Sequence, residues 1–215
     1  MTVVRQRKGE ATREALMNAG FKVFSQQGFP RTTISHIARE AGKSNGVFHI
    51  YFKNKAALLD AWLDEADTMV PWHHADASLL FEKARRFVLK SFWNMYDRYG
   101  AVLEALDAAA FESDHFKARR RDVLHQSEAS IARMIRCAQN EGRCLGIDPE
   151  LTAISISAVI RETTAHWFHH RASMEARGID QAKILGHLEA LFTRMSEPDS
   201  ASPAKSAATA IKIAG

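Results

Sequence analysis

The side chains best placed for chemistry in this sequence crowd into one run, Gly42-Lys43-Ser44-Asn45-Gly46-Val47-Phe48-His49-Ile50-Tyr51-Phe52-Lys53-Asn54-Lys55. Phe48 and Phe52, four apart, share one face of a helix and would bury it, which leaves Asn45, Val47, His49 and Tyr51 for the other side. Gly42 lets the chain reverse within a few residues ahead of them. That is the physics of a turn followed by a helix that enters the major groove of DNA with its amino-terminal half. The charge distribution agrees. Residues 1–60 carry ten Lys/Arg against four acids, a net +6, while the whole chain is +4, so the remainder is −2. A basic head on a near-neutral body suits a double-stranded DNA partner, because phosphate neutralisation supplies most non-specific affinity.

Two other constellations invite metal chemistry. Glu112-Ser113-Asp114-His115 has the Glu-x-x-His spacing of di-iron helical bundles, but such a site needs two of these motifs and the sequence has one, so a metalloenzyme is only a distant alternative. The adjacent pairs His73-His74 and His169-His170 would point in different directions on a helix. No metal, cofactor or catalytic residue is assigned, and the chain is read as a non-enzyme. Cys137 and Cys144, seven apart on what reads as one helix, lie roughly 10 Å from each other, too far for a disulfide. No window approaches the eighteen apolar residues of a membrane span, and the start turns polar before a signal peptide could form. A cytoplasmic, membrane-free protein is expected.

The elements that must hold the reading segment are helical. Leu16, Ala19, Gly20, Val23 and Phe24 keep helical spacing from about Glu10 to Gln27, and Gly28 stops the helix. A Thr at 32–33, Ser44 and Asn54 can each cap a following helix: a short one closing at Gly42, another from Asn45 to about Tyr51, and a long one from Lys55 to about Val70. Two helices this short need packing to persist. Further amphipathic stretches run over 77–99, 101–111 and 115–141. Asp148-Pro149-Glu150 opens a helix reaching about His170, and Asp180 caps a last one to about Met195. The fold class is all-α with about nine helices. Residues 1–60 form the helix-turn-helix head, 61–196 a larger helical domain, and 197–215, rich in Ser, Ala, Pro and Lys, a flexible tail.

From Arg13 to Leu59 the sequence resembles the tetracycline-repressor (TetR) family of transcription regulators. The resemblance rests on Phe24 and Gly28, Thr32-Thr33, Ile37-Ala38, Ala41-Gly42, Ser44, Gly46, Tyr51-Phe52-Lys53-Asn54-Lys55 and Leu58-Leu59. It implies that Thr33 donates to a phosphate, with Tyr51 and Lys55 holding the same backbone from the other side. Lys43, Ser44, Asn45, Val47 and His49 become the groove contacts. Asn45 can pair with an adenine edge and Val47 can touch a thymine methyl. His49 stands where the family usually has tyrosine, Lys43 replaces a usual valine, and Ile50 takes a place often aromatic or histidine.

For the body, the resemblance implies an effector pocket between the middle helices and the helix at 115–141. A hydrophobic small molecule is expected among Trp62, Trp93, Tyr96, Phe111, Met134 and Trp167. The helix from Pro149 is apolar on two sides, with Leu151, Ile154 and Ala158 on one and Ile156, Val159, Ile160 and Trp167 on another. The family implies that this helix and the last one, through its Leu188–Met195 stripe, pair with a second copy as a homodimer. The expected function is a repressor released from a palindromic operator by its effector, with an activator of the same fold as the alternative.

Overall fold

The computed structural model describes residues 2–69 and 81–196, with side chains over 9–67 and 81–196. These residues form nine α-helices: α1 (Thr2–Arg31), α2 (Ile34–Glu40), α3 (Asn45–Tyr51), α4 (Lys55–Met69), α5 (Phe81–Ala110), α6 (Asp114–Asn140), α7 (Pro149–His169), α8 (Arg171–Ala176) and α9 (Gln181–Ser196). His73-His74 and the segment 197–215 lie outside the described residues.

Local signals set most boundaries. The threonine hydroxyl of Thr33 and the serine hydroxyl of Ser44 accept from the backbone N–H of His36 and Val47, and the Asn54, Asp148 and Asp180 side chains accept from Ala57, Leu151 and Lys183. Each satisfies a donor that a helix start would leave orphaned. α1 begins at Thr2 rather than near Glu10, and its run breaks at Gly28, where φ is 76° and ψ 159°, a conformation that only glycine adopts without strain.

Three further features depart from expectation. The apolar stripe crosses Gly100 without interruption through Tyr96, Tyr99, Val102 and Leu106, so α5 is one helix of 30 residues instead of two. A mid-helix glycine costs about 1 kcal/mol, whereas each buried large side chain returns about 1.5–3 kcal/mol. α6 closes at Asn140, which puts Cys144 in the following loop; both thiols are free, as expected. The short α8 carries no buried residue and bridges α7 to α9.

Two apolar clusters share α5. Its first half, Phe81 to Tyr96, packs with α6, α7 and α9. Its second half, Tyr99 to Ala110, packs with Leu16 and Phe24 of α1, Phe48 of α3 and Leu58, Leu59 and Leu63 of α4. The core of the head therefore continues past residue 60 into the body, and the boundary expected there falls inside a continuous helix. No helix among the described residues is long and apolar enough to cross a membrane.

Candidate nucleic-acid interface and body cleft

α2 and α3 meet at a tight reversal. Ala41 ends α2, Gly42 turns left-handed at φ 63°, and the Gly42 and Lys43 N–H groups return to the carbonyls of Arg39 (3.0 Å) and Ala38 (2.8 Å). The apolar face of α3 goes inward: Phe48 is fully buried, Phe52 nearly so, and their ring centres lie 5.6 Å apart. Thr33, Lys43, Ser44, Asn45 and His49 are exposed, whereas Val47 and Tyr51 are half-buried. The outward surface thus joins the cap of α2, the turn and the first turn of α3. Two of its members already work within the head, Thr33 and Ser44 as caps. Asn45 donates from Nδ2 to the Ser35 hydroxyl at 2.9 Å, fixing α3 against α2.

Ile50 is the apolar residue that the sequence reading left out of this surface. It is 75% exposed on α3, two positions from buried Phe48 and hence about 200° round the helix. That spacing was legible in the sequence.

Lys55 is placed differently from expectation. Its ammonium donates to the carbonyls of Phe29 (2.7 Å), Pro30 (3.1 Å) and Thr32 (3.0 Å) and lies 4.5 Å from the centre of the Phe29 ring. All three N–H donors are thereby engaged. Partial burial lowers its pKa from the ordinary value, opposed by nearby Glu112. The side chain anchors the end of α1 to the start of α4 and has no N–H left over for a phosphate.

The six residues expected to bind an effector do not converge. Trp62 belongs to the head cluster, where its indole N–H donates to Met17 O at 2.9 Å and its ring meets Tyr99 edge-on at 6.0 Å. Phe111 is 87% exposed at the end of α5. Trp93, Met134 and Trp167 are body core; the two indoles pack 4.7 Å apart. Helical periodicity turned these large residues inward without saying toward which cluster.

A cleft nevertheless exists between α5, α6 and α7, and of the six only Tyr96 lines it. Phe92, Met95, Leu103, Leu106, Val123 and Leu124 supply its apolar wall, and Asp107, Arg120, Ser127 and Arg161 its polar groups. Its cavity volume is about 40 Å³, well below the roughly 300–1,000 Å³ of small-molecule sites, so a ligand would enter only as α5, α6 and α7 part. Polar residues of α6 and α7 carried no signal in the sequence, because which of them face α5 depends on how three helices pack.

The helix that walls the cleft also grips α4. His115 Nε2 meets Asp60 at 2.8 Å, and Arg119 meets Asp64 at 2.8 Å and Asp67 at 3.4 Å. On α4 those acids sit at i, i+4 and i+7, one face; on α6 the partners sit at i and i+4. Glu112 precedes α6, so it and His115 do not share one helix, and the described residues contain no group of three or more metal-binding side chains.

The α9 stripe also turns inward. Leu188 and Phe192 are each 1% exposed, and Phe192 packs edge-on against Phe81 at 6.5 Å. They are core of this chain and not the free face the sequence suggested. On α7, by contrast, Leu151 (67%) and Ile154 (48%) remain exposed.

Residues 16–62 match the family described as "Bacterial regulatory proteins, tetR family". Over 64 residues the chain is 41% identical to the transcriptional regulator TtgR of Pseudomonas putida, an alignment covering 29% of this chain and 30% of that protein. A longer alignment, 26% identical over 153 residues, covers 68% of this chain and 70% of the transcriptional repressor NicS of P. putida. The solved complex of SmeT with triclosan, SmeT being the repressor of a Stenotrophomonas maltophilia multidrug efflux pump, superposes with a TM-score of 0.68 at 20% identity, covering 91% of this chain and 96% of SmeT. The fold is thus shared along nearly the whole chain, while sequence identity concentrates in a segment spanning less than a third of TtgR.

Proposed function

Since this chain belongs to the TetR family of bacterial regulatory proteins, we propose that it is a homodimeric repressor that leaves a palindromic operator when a small hydrophobic molecule fills the cleft between α5, α6 and α7. The observation that carries the reading is the double membership of α4. Lys55 and Trp62 tie this helix to α1 in the head, and Asp60, Asp64 and Asp67 tie it to α6, which walls the cleft. A ligand that displaces α6 acts on α4 and through it on the recognition helix α3. In a dimer both copies of α3 must meet successive major grooves about 34 Å apart, so a displacement of a few ångströms costs one of them its contacts. NicS and SmeT, named as repressors, support the direction of control, and the triclosan complex supports a ligand-binding body.

On α3 the exposed Asn45, His49 and Ile50, with Val47 beside them, are assigned to base edges, and Thr33, Lys43, Ser44 and Tyr51 to the backbone. The exposed apolar residues Leu151 and Ile154 are assigned to the dimer interface. The test is to select bound fragments from the source genome with the purified protein, then titrate the recovered operator at fixed salt with and without a cleft ligand found by thermal-shift screening. Affinity lower by about 5- to 150-fold with ligand is expected, a coupling of roughly 1–3 kcal/mol. Binding indifferent to every cleft ligand removes the sensor, and failure to select any common sequence removes the regulator.

A further inference from the structure

The chemistry of the cleft narrows the ligand class, on the reading that this cleft is the sensor site. Asp107 and Arg120 neutralise one another at 2.5 Å, and the Ser127 hydroxyl donates to Leu124 O at 2.7 Å. Arg161, half-buried on α7, and the Tyr96 hydroxyl on α5 make no hydrogen bond or ion pair with any other described residue. Among its lining side chains the cleft therefore holds one cation in excess and one hydroxyl outside any hydrogen bond against an apolar wall, with the carboxylates of Glu104 and Glu162 near enough to act on the Tyr96 phenol. An arginine partly withdrawn from water without a counter-ion is costly, and a carboxylate answers it with charge-assisted, bidentate hydrogen bonds. Burial holds the Tyr96 phenol well above its ordinary pKa, with Arg161 opposing, so it stays a proton donor throughout the physiological range. Asp107 and Arg120 also line a wider outer hollow together with Phe111 and Lys117, so their ion pair forms a wall common to both spaces.

We propose that the ligand of this cleft is a small amphipathic carboxylate. Its apolar part lies against Phe92, Met95, Leu106 and Val123, and its carboxylate is held by Arg161 with the Tyr96 hydroxyl as second donor.

The experiment compares octanoate, decanoate and 4-phenylbutyrate with their primary amides, using calorimetry on the full chain. The acids are expected to bind roughly tenfold or more tightly than the amides, the scale of one charge-assisted contact. Arg161→Gln removes that preference, Arg161→Lys retains part of it, and Tyr96→Phe reduces it; thermal melting confirms that each variant is folded. Equal binding of acid and amide, a preference that survives Arg161→Gln, or binding of no probe overturns the proposal. Amides that bind and release operator would leave the sensor standing and reject the carboxylate. Acids that bind through Arg161 without changing operator affinity would do the reverse.

Discussion

The Lys55 ammonium donates to the Phe29 carbonyl at 2.7 Å, across 26 residues of sequence, and so closes the end of the first helix with the start of the fourth. Replacing it by methionine removes a donor from three carbonyls, of which that of Phe29 keeps the Thr32 N–H at 3.2 Å. The expected loss is on the order of 1–3 kcal/mol in denaturant unfolding. The salt slope of DNA binding should stay unchanged, because no phosphate contact is removed; a slope lower by about one counterion would return Lys55 to the DNA.

Asn45 has two candidate partners, a base edge and the Ser35 hydroxyl at 2.9 Å. Ser35→Ala removes only the second. If Asn45 reads a base, Asn45→Ala costs about 1–3 kcal/mol of operator affinity and relaxes preference at one position per half-site, whereas Ser35→Ala leaves the preferred sequence intact. Identical sequence preferences for the two variants would make Asn45 a strut of the head.

Arg119 joins α6 to Asp64 and Asp67 of α4 without lining the cleft. Arg119→Ala is expected to preserve ligand and operator affinity measured separately and to shrink the ratio between operator affinities with and without ligand. A double-mutant cycle with Asp64→Ala isolates the pair. Unaltered coupling in both single variants would require another path from cleft to head.

Leu151 and Ile154 leave an apolar surface on α7. Ile154→Glu, at a position 48% exposed in the single chain, should leave the melting of the subunit nearly intact while shifting sedimentation from twice the chain mass to the monomer. A variant that remains dimeric would move the interface elsewhere.

Glu189 on α9 meets Arg86 at 2.8 Å and Arg85 at 3.5 Å, both on α5. The hydrogen bond from Arg86 is the main reason its carboxyl titrates below the ordinary value of 4.5. A depressed folded pKa stabilises the fold above the unfolded value, and the gain disappears as pH falls through the folded one. Wild type should therefore melt above Glu189→Gln at neutral pH, with the difference shrinking below about pH 4.5. A difference that persists undiminished into stronger acid would assign it to packing.

What the sequence determined alone is what short-range physics encodes. Ser44, Asn54, Asp148 and Asp180 cap helices because a cap is an interaction three residues long. The reading head was legible because Thr33, Gly42 and the inward pair Phe48 and Phe52 fix turn and face within twenty residues. Only the tertiary structure decided where the inward faces go: Trp62 to the head cluster, Trp93 and Trp167 to the body, Leu188 and Phe192 to this chain's own core. It also drew Lys55 onto Phe29 and brought Arg161 of α7 to the cleft lined by Tyr96 of α5 and Val123 of α6. Periodicity tells a side chain to turn away from water, but the partner it meets there is set by how distant helices pack, which no local pattern records.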